Sequence, residues 1–143
     1  VQVQVQSVML DHSVYLQEVI ATALCVAESN ACMHRIVAAP TAGACGVLPA
    51  VLVPLYRRGG VEEDAIVRAL YVAAGIGAVI GYRASISGAS GGCQAEVGTA
   101  GAMAAGALVD LRGGTPEHRT EECQRTAKRR SQRWKTVPYR CGS

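Results

Sequence analysis

Residues 84–109 read ASISGASGGCQAEVGTAGAMAAGALV, and this stretch decides the fold class. Its Ser- and Gly-rich part, residues 85–92, is typical of a loop. From Cys93 to Val109 the chain is dominated by Ala and Gly and carries one charge, which predicts a helix packed closely against its neighbours. Small residues recur there at helical spacing and indicate a stripe on which another backbone can approach, namely Gly98, Ala102 and Gly106.

Three further segments predict helices on the N-terminal side. Apolar residues recur at helical spacing over His12–Ser29. Val47–Tyr56 is apolar but contains prolines, which predicts a helix that begins at a proline or is kinked by one. Acidic residues at 62–64 favour a helix start, because they complement the helix dipole. That helix is predicted to run to about Gly81 and to bury one face, made of Ile66, Leu70, Ala74 and Gly77.

Composition supports an all-α fold with Gly-rich loops between the helices. The chain has 143 residues, of which 50% are hydrophobic and 4% aromatic, with no Phe. A core without large rings must be built from Val, Ile, Leu and Ala, and this length suits one domain. Residues 1–6, VQVQVQ, alternate like a strand and carry little weight in this prediction.

Charge divides the chain at about residue 118. Residues 1–118 hold six Arg, no Lys and nine acidic residues, a net −3, whereas residues 119–143 hold eight Lys and Arg and two Glu, a net +6. Thr115 and Pro116 suit a helix N-cap and first position, but the residues that follow offer few apolar contacts. The sequence therefore predicts two parts: a helical domain over 1–118 and an irregular, unstructured basic tail over 119–143. A solvated tail is preferred to a nucleic-acid-binding one.

The absence of lysine before Lys128 excludes two common chemistries from the helical part. A pyridoxal-phosphate enzyme needs a lysine for its Schiff base, and a Walker phosphate loop needs one after its glycines. No apolar run reaches about 20 residues, so no membrane span is predicted. No secretory signal is visible, so reduced thiols in the cytoplasm are expected. None of the cysteines has C-x-x-C spacing: Cys25, Cys32, Cys45, Cys93, Cys123 and Cys141.

Two loops could carry chemistry. The first leads into a helix that begins with Cys93, where the dipole favours thiolate and backbone N–H groups can hold an anion. The second is Pro40–Gly46, with a hydroxyl at Thr41. On spacing alone, plain interhelical turns are the favoured interpretation of both loops. Gly88–Gly92 also matches G-x-S-x-G, which leaves a serine hydrolase using Ser90 as an alternative, although that motif needs a preceding strand.

Taken together, two motifs are similar to the α chain of iron–sulfur-dependent L-serine dehydratase (L-serine ammonia-lyase). They are IVAAPTAGACGVLPAVL at 36–52 and ASISGASGGCQAEVG at 84–98, in the family's order. The resemblance covers roughly Glu28 to His118. It implies a helical catalytic domain that converts L-serine to pyruvate and ammonia, and a [4Fe–4S] cluster held by three cysteines, whose open iron polarises the substrate hydroxyl. It further implies a β chain or additional domain and an oligomer.

The resemblance also assigns residues. Cys93 matches the first cluster cysteine. The candidates for catalysis are Thr41, Ser87 and Glu96, and the base is left unassigned. The residues expected at the substrate are Thr41, Gly43, Ala44, Ser85, Ser87, Gly88 and Gln94.

The chain departs from the family at two points. Arg83 stands where an Asn is expected, and the Cys-Asp-Pro…Pro-Cys segment with the other cluster cysteines is absent. We therefore expect a partial α chain, in which truncation or a frame change follows residue 118 and which is inactive by itself. A non-catalytic helical interaction module is the remaining alternative.

Overall fold

Five helices form over residues 12–135, the part of the chain that this computed structural model describes. They are α1 (His12–Ala31), α2 (Val47–Arg57), α3 (Glu63–Arg83), α4 (Gly88–Leu111) and α5 (Pro116–Lys135), with a 3-10 turn at Ala42–Ala44. No strand occurs in this range, so the predicted all-α class is confirmed. The alternating residues 1–6 lie outside the described residues.

Helix α4 is central: α3, α5 and α2 all pack against it, and α1 packs on α2. Ala69, Ala73, Ala100 and Ala107 have no exposed surface, so the helix axes approach closely. A Cβ on Gly106 would overlap Ile76 Cδ1 of α3, whereas nothing lies within 4 Å of one on Gly98. The predicted small-residue stripe is therefore confirmed at Ala102, which is buried, and Gly106, and wrong at Gly98.

The buried face of α3 lies one position away from the predicted one. Ala65, Ala69, Ala73 and Gly77 face the core. Of the predicted face, Gly77 is buried and Ile66 is partly buried against the core, whereas Leu70 is 42% exposed and Ala74 is exposed. The reason is steric. Small side chains let α3 approach α4, and the larger Ile66 and Leu70 are displaced to the rim of an open apolar groove of about 720 Å³ beside α2.

The predicted irregular tail is wrong for residues 119–135, which form most of α5. Thr115 Oγ1 accepts a hydrogen bond from the N–H of His118 at 3.4 Å, so the predicted N-cap is confirmed. Arg119 pairs with the carboxylate of Asp110, and the Cys123 thiol donates to the carbonyl of Ala102 at 3.2 Å. These polar contacts dock α5 on α4 in place of an apolar face. Residues 136–143 lie outside the described residues.

Helix α3 is long and apolar enough to cross a membrane by length and composition. This property is weak evidence for a span, because core helices of other proteins share it. Here α3 packs along α4, and its charged ends are Glu63, Asp64 and Arg83.

Candidate functional site

The start of α4 is broken at Gly92, whose φ of 73° and ψ of 170° are not helical. That left-handed φ combined with an extended ψ is available almost only to glycine. One helical turn lies before the break, over residues 88–91, and the continuous helix begins at Cys93. The predicted helix start at Cys93 is thus confirmed, and the predicted loop is shorter than expected, because residues 88–91 are helical.

Serine hydroxyls stabilise this turn. Ser87 Oγ accepts from the N–H of Ala89 at 3.2 Å and caps the turn, and Ser85 Oγ accepts from the N–H of Ser87 at 3.2 Å. The Ser85 and Ser90 hydroxyls also share a hydrogen bond. Ser90 therefore pairs with another serine rather than with a histidine, and a helix precedes it, so the hydrolase alternative loses its structural support.

The second predicted loop lies beside the first. It passes through a cis Ala39–Pro40 bond and the 3-10 turn, whose Ala42 carbonyl accepts from Asn30 Nδ2 of α1 at 3.1 Å. Ala44 is 2% exposed and faces the core, and its N–H donates to the carbonyl of Thr41 at 3.3 Å, so the structure does not present this predicted residue to a ligand. Thr41 remains half-buried at the edge of the loop.

Glu96 joins the two loops. Thr41 Oγ1 donates to Glu96 Oε1 at 2.8 Å, across 55 residues of sequence. A Cβ built on Gly43 would lie 3.1 Å from Glu96 Oε2, and one on Gly88 would lie 2.8 Å from the same atom. The structure thus brings together four of the residues singled out from sequence, around one half-buried carboxylate.

Cys93 and Gln94 are exposed at the opening of the same helix. Cys93 lies three residues before Glu96, a spacing that puts two side chains on neighbouring parts of one helix face. The exposed Cys93 thiol and the Glu96 carboxylate therefore lie next to each other at the start of α4.

The described residues do not fit a complete [4Fe–4S] site. Such a cluster takes cysteine thiolates from several positions, and residues 12–135 contain no group of three potential metal ligands. Cys25 is exposed on α1, Cys32 is exposed in the turn after α1, and Cys45 is buried. Cys123 is held by its bond to Ala102, and burial raises the pKa of its thiol. Among the cysteines of residues 12–135, Cys93 is the one that is exposed at the two loops, since Cys45 of the Pro40–Gly46 loop is buried.

A polar cluster around Asp110, outside this site, is not predicted by the sequence. Asp110 of α4 is 9% exposed and pairs with Arg68 of α3 and Arg119 of α5. A carboxylate in an otherwise Ala-rich helix is the signal that could have revealed it, because a buried charge needs partners. Nothing in the spacing of residues 68, 110 and 119 indicates which ones.

These features define a class: an all-helical domain in which two glycine turns meet at the start of a helix that opens on a cysteine. The chain belongs to the serine dehydratase alpha chain family, whose model matches residues 2–128. This match continues past residue 118, where the sequence analysis placed a boundary.

Named relatives agree with the family. The chain is 43% identical over 111 residues to the probable L-serine dehydratase alpha chain of Bacillus subtilis, covering 78% of this chain and 37% of that protein. It is 47% identical over 103 residues to the L-serine dehydratase alpha chain of Peptoniphilus asaccharolyticus, covering 72% and 35%. It is 50% identical over 101 residues to the L-serine dehydratase of Streptomyces coelicolor, covering 66% of this chain and 21% of that protein. The chain thus spans between a fifth and two fifths of these relatives' length. No solved structure matches it significantly.

Proposed function

We propose that this chain forms part of an L-serine ammonia-lyase. The single observation that carries the proposal is the meeting of the Thr41 loop and the Gly88 turn at Glu96, within a chain of the serine dehydratase alpha chain family. These two loops are the segments whose motifs resemble the dehydratase signatures.

The proposed reaction removes the α-proton and the β-hydroxyl of L-serine. A base takes the proton, the C–O bond breaks and the hydroxide leaves as water after protonation, which gives aminoacrylate. Aminoacrylate tautomerises to the imine, which water hydrolyses to pyruvate and ammonia. The water released in the first step balances the water consumed in the last.

We assign the loops to the substrate. Backbone N–H groups at Gly43 and Gly88 would hold the serine carboxylate, since turns that expose N–H groups bind anions. The N–H of Ala44, also expected at the substrate, instead donates to the carbonyl of Thr41 at 3.3 Å. Ser85 and Ser87 hold the turn by local hydrogen bonds, and Gln94 is exposed beside it. Of the three candidates for moving a proton, Thr41 and Ser87 carry hydroxyls at the loops, whereas the Glu96 carboxylate is engaged by the Thr41 hydroxyl.

We further propose that Cys93 is one ligand of a [4Fe–4S] cluster, with the other ligands supplied by residues outside 12–135. The chain by itself is then inactive, and a β chain or further domain completes an oligomeric, cytoplasmic enzyme. The relatives from Bacillus and Peptoniphilus are named alpha chains, which supports a second chain.

The test is a graft. Residues 12–128 replace the matching segment of the Bacillus subtilis alpha chain, which is produced anaerobically with its partner. We expect serine-dependent pyruvate formation, and we expect Cys93→Ser to lose both iron and activity. Cys25→Ser is the matched control, because Cys25 is an exposed cysteine on α1. A folded graft that holds the parent's iron yet forms no pyruvate, or full activity in the Cys93→Ser graft, would contradict the proposal.

A further inference from the structure

We propose that Glu96 is a positioning residue, which clasps the Thr41 loop to the Gly88 turn, and that Gly43 and Gly88 lack side chains because of this clasp. The role of the two loops in binding substrate rests on the proposed function. The clasp itself rests only on the contacts of the Glu96 carboxylate with Thr41, Gly43 and Gly88.

The first contact is a hydrogen bond to a charged group. Thr41 Oγ1 donates to Glu96 Oε1 at 2.8 Å, and both residues are half-buried. Bonds to an ionised acceptor are stronger than neutral ones, and partial burial reduces competition from water. This bond ties the loop after Pro40 to the first turns of α4.

The second contact explains two glycines. Neither Gly43 nor Gly88 has a positive φ, since the positive-φ glycines of the described chain are Gly59, Gly92 and Gly113. Backbone conformation therefore does not require glycine at 43 or 88. A Cβ built on Gly43 would instead lie 3.1 Å from Glu96 Oε2, and one built on Gly88 would lie 2.8 Å from the same oxygen. The Glu96 carboxylate therefore takes the place of a side chain at both glycines, and a Cβ at either position would have to displace it.

The direction of these contacts determines the role. Oε1 accepts from the Thr41 hydroxyl, and Oε2 is the carboxylate oxygen nearest to a Cβ built on either glycine. A carboxylate engaged in this way acts through the position of the loops. Because it is the end of a flexible side chain, an alanine at Gly88 displaces it rather than the backbone, so Gly88→Ala should have the same effect as removing Glu96.

Hydrogen exchange in the full chain, without substrate, tests this clasp. The reporters are the N–H groups of Ala44 and Cys45, which donate to the carbonyls of Thr41 and Ala42 at 3.3 Å. We expect about tenfold faster exchange in Glu96→Met, which fills the space but cannot accept the bond, and also in Gly88→Ala. Glu96→Gln keeps an acceptor oxygen and should remain close to wild type. The double variant Gly88→Ala/Glu96→Met should exchange no faster than either single variant.

The matched control is Gly98→Ala, in the same helix but with nothing within 4 Å of the new Cβ, which should leave these reporters unchanged. Additive effects in the double variant would overturn the clasp, and so would equal effects of Gln and Met at position 96. Added L-serine tests the proposed function separately: it should slow the same exchange in wild type and Glu96→Gln but not in Glu96→Met. An absence of protection in the wild-type chain would count against the proposed function alone, since the clasp is judged from the rates without serine.

Discussion

Asp110 provides the sharpest test of how α5 is held. Its side chain is 8% exposed and receives Arg68 Nε at 3.1 Å and the guanidinium of Arg119. Arg119 is 22% exposed, so replacing it leaves a buried carboxylate with one exposed partner, which should cost about 3 kcal/mol of unfolding free energy. Arg68 is 61% exposed, and its loss should cost less than about 1 kcal/mol. Asp110→Ala should cost about 2 kcal/mol, because it removes the desolvation penalty together with the two bonds.

The assay is urea unfolding at neutral pH of Arg119→Met, Asp110→Ala and Arg68→Met, in which methionine keeps the apolar stem of arginine. Arg125→Met is the control in the same helix: Arg125 is 60% exposed and pairs with Glu122 in solvent, so its loss should leave the urea midpoint close to that of wild type. A loss in Arg119→Met no larger than in Arg125→Met would refute the docking of α5 by this carboxylate. A larger loss of unfolding free energy in Arg68→Met than in Arg119→Met would refute the argument that the more buried arginine contributes more to stability.

Three further outcomes are expected. Gly92→Ala should lower the free energy of unfolding by about 1–3 kcal/mol, because a φ of +73° is strained for any side chain. Gly98→Ala should raise it by up to about 1 kcal/mol, since alanine is the better helix former and nothing lies within 4 Å of its Cβ. Equal effects of the two variants in urea unfolding would contradict the break at Gly92. Leu55→Ala, at a side chain with no exposure, should lose about 2–5 kcal/mol in thermal unfolding, and a loss below 1 kcal/mol would place Leu55 outside the core. Burial raises the pKa of Tyr15, whose hydroxyl donates to Val51 O at 3.1 Å, above its ordinary 10.0. The neutral hydroxyl therefore stabilises the fold below pH 10, and this contribution is lost as pH rises through the folded pKa, so Tyr15→Phe should flatten the alkaline end of the stability profile.

Helix positions followed from the sequence, but helix faces did so less well. Apolar spacing located α1 to α4 because it depends only on residues close along the chain. For α3 the same spacing favoured Ile66 and Leu70 as core residues, since they are larger and more apolar than Ala65 and Ala69. The close approach to α4 buries Ala65 and Ala69 instead, and leaves Leu70 exposed and Ile66 partly buried. Close approach is a property of two helices together.

Helix α5 was missed for a related reason. Its residues are strongly polar, so an apolar face could not be found, and a solvated tail was the natural interpretation. The structure docks this helix through Arg119 and the Cys123 thiol, which find an acid and a carbonyl of α4. Polar docking of this kind depends on the partner's position and leaves no periodic signal in the helix itself.

The candidate site could likewise be predicted from the sequence only in part. Cys93 at a helix start and Glu96 three residues later could be read from the chain, because both follow from the glycine break before them. The bond from Thr41 to Glu96 could not, since it spans 55 residues and exists only after α2 and the 3-10 turn have packed against α4. The glycines show the difference most clearly. Gly92 is glycine because of its own backbone angle, a local cause, whereas Gly88 is glycine because a carboxylate two turns further along α4 occupies the space of its Cβ. Sequence alone presents both as the same residue in the same loop, and only the contact with Glu96 separates a glycine required by its backbone angle from one whose Cβ would meet a carboxylate.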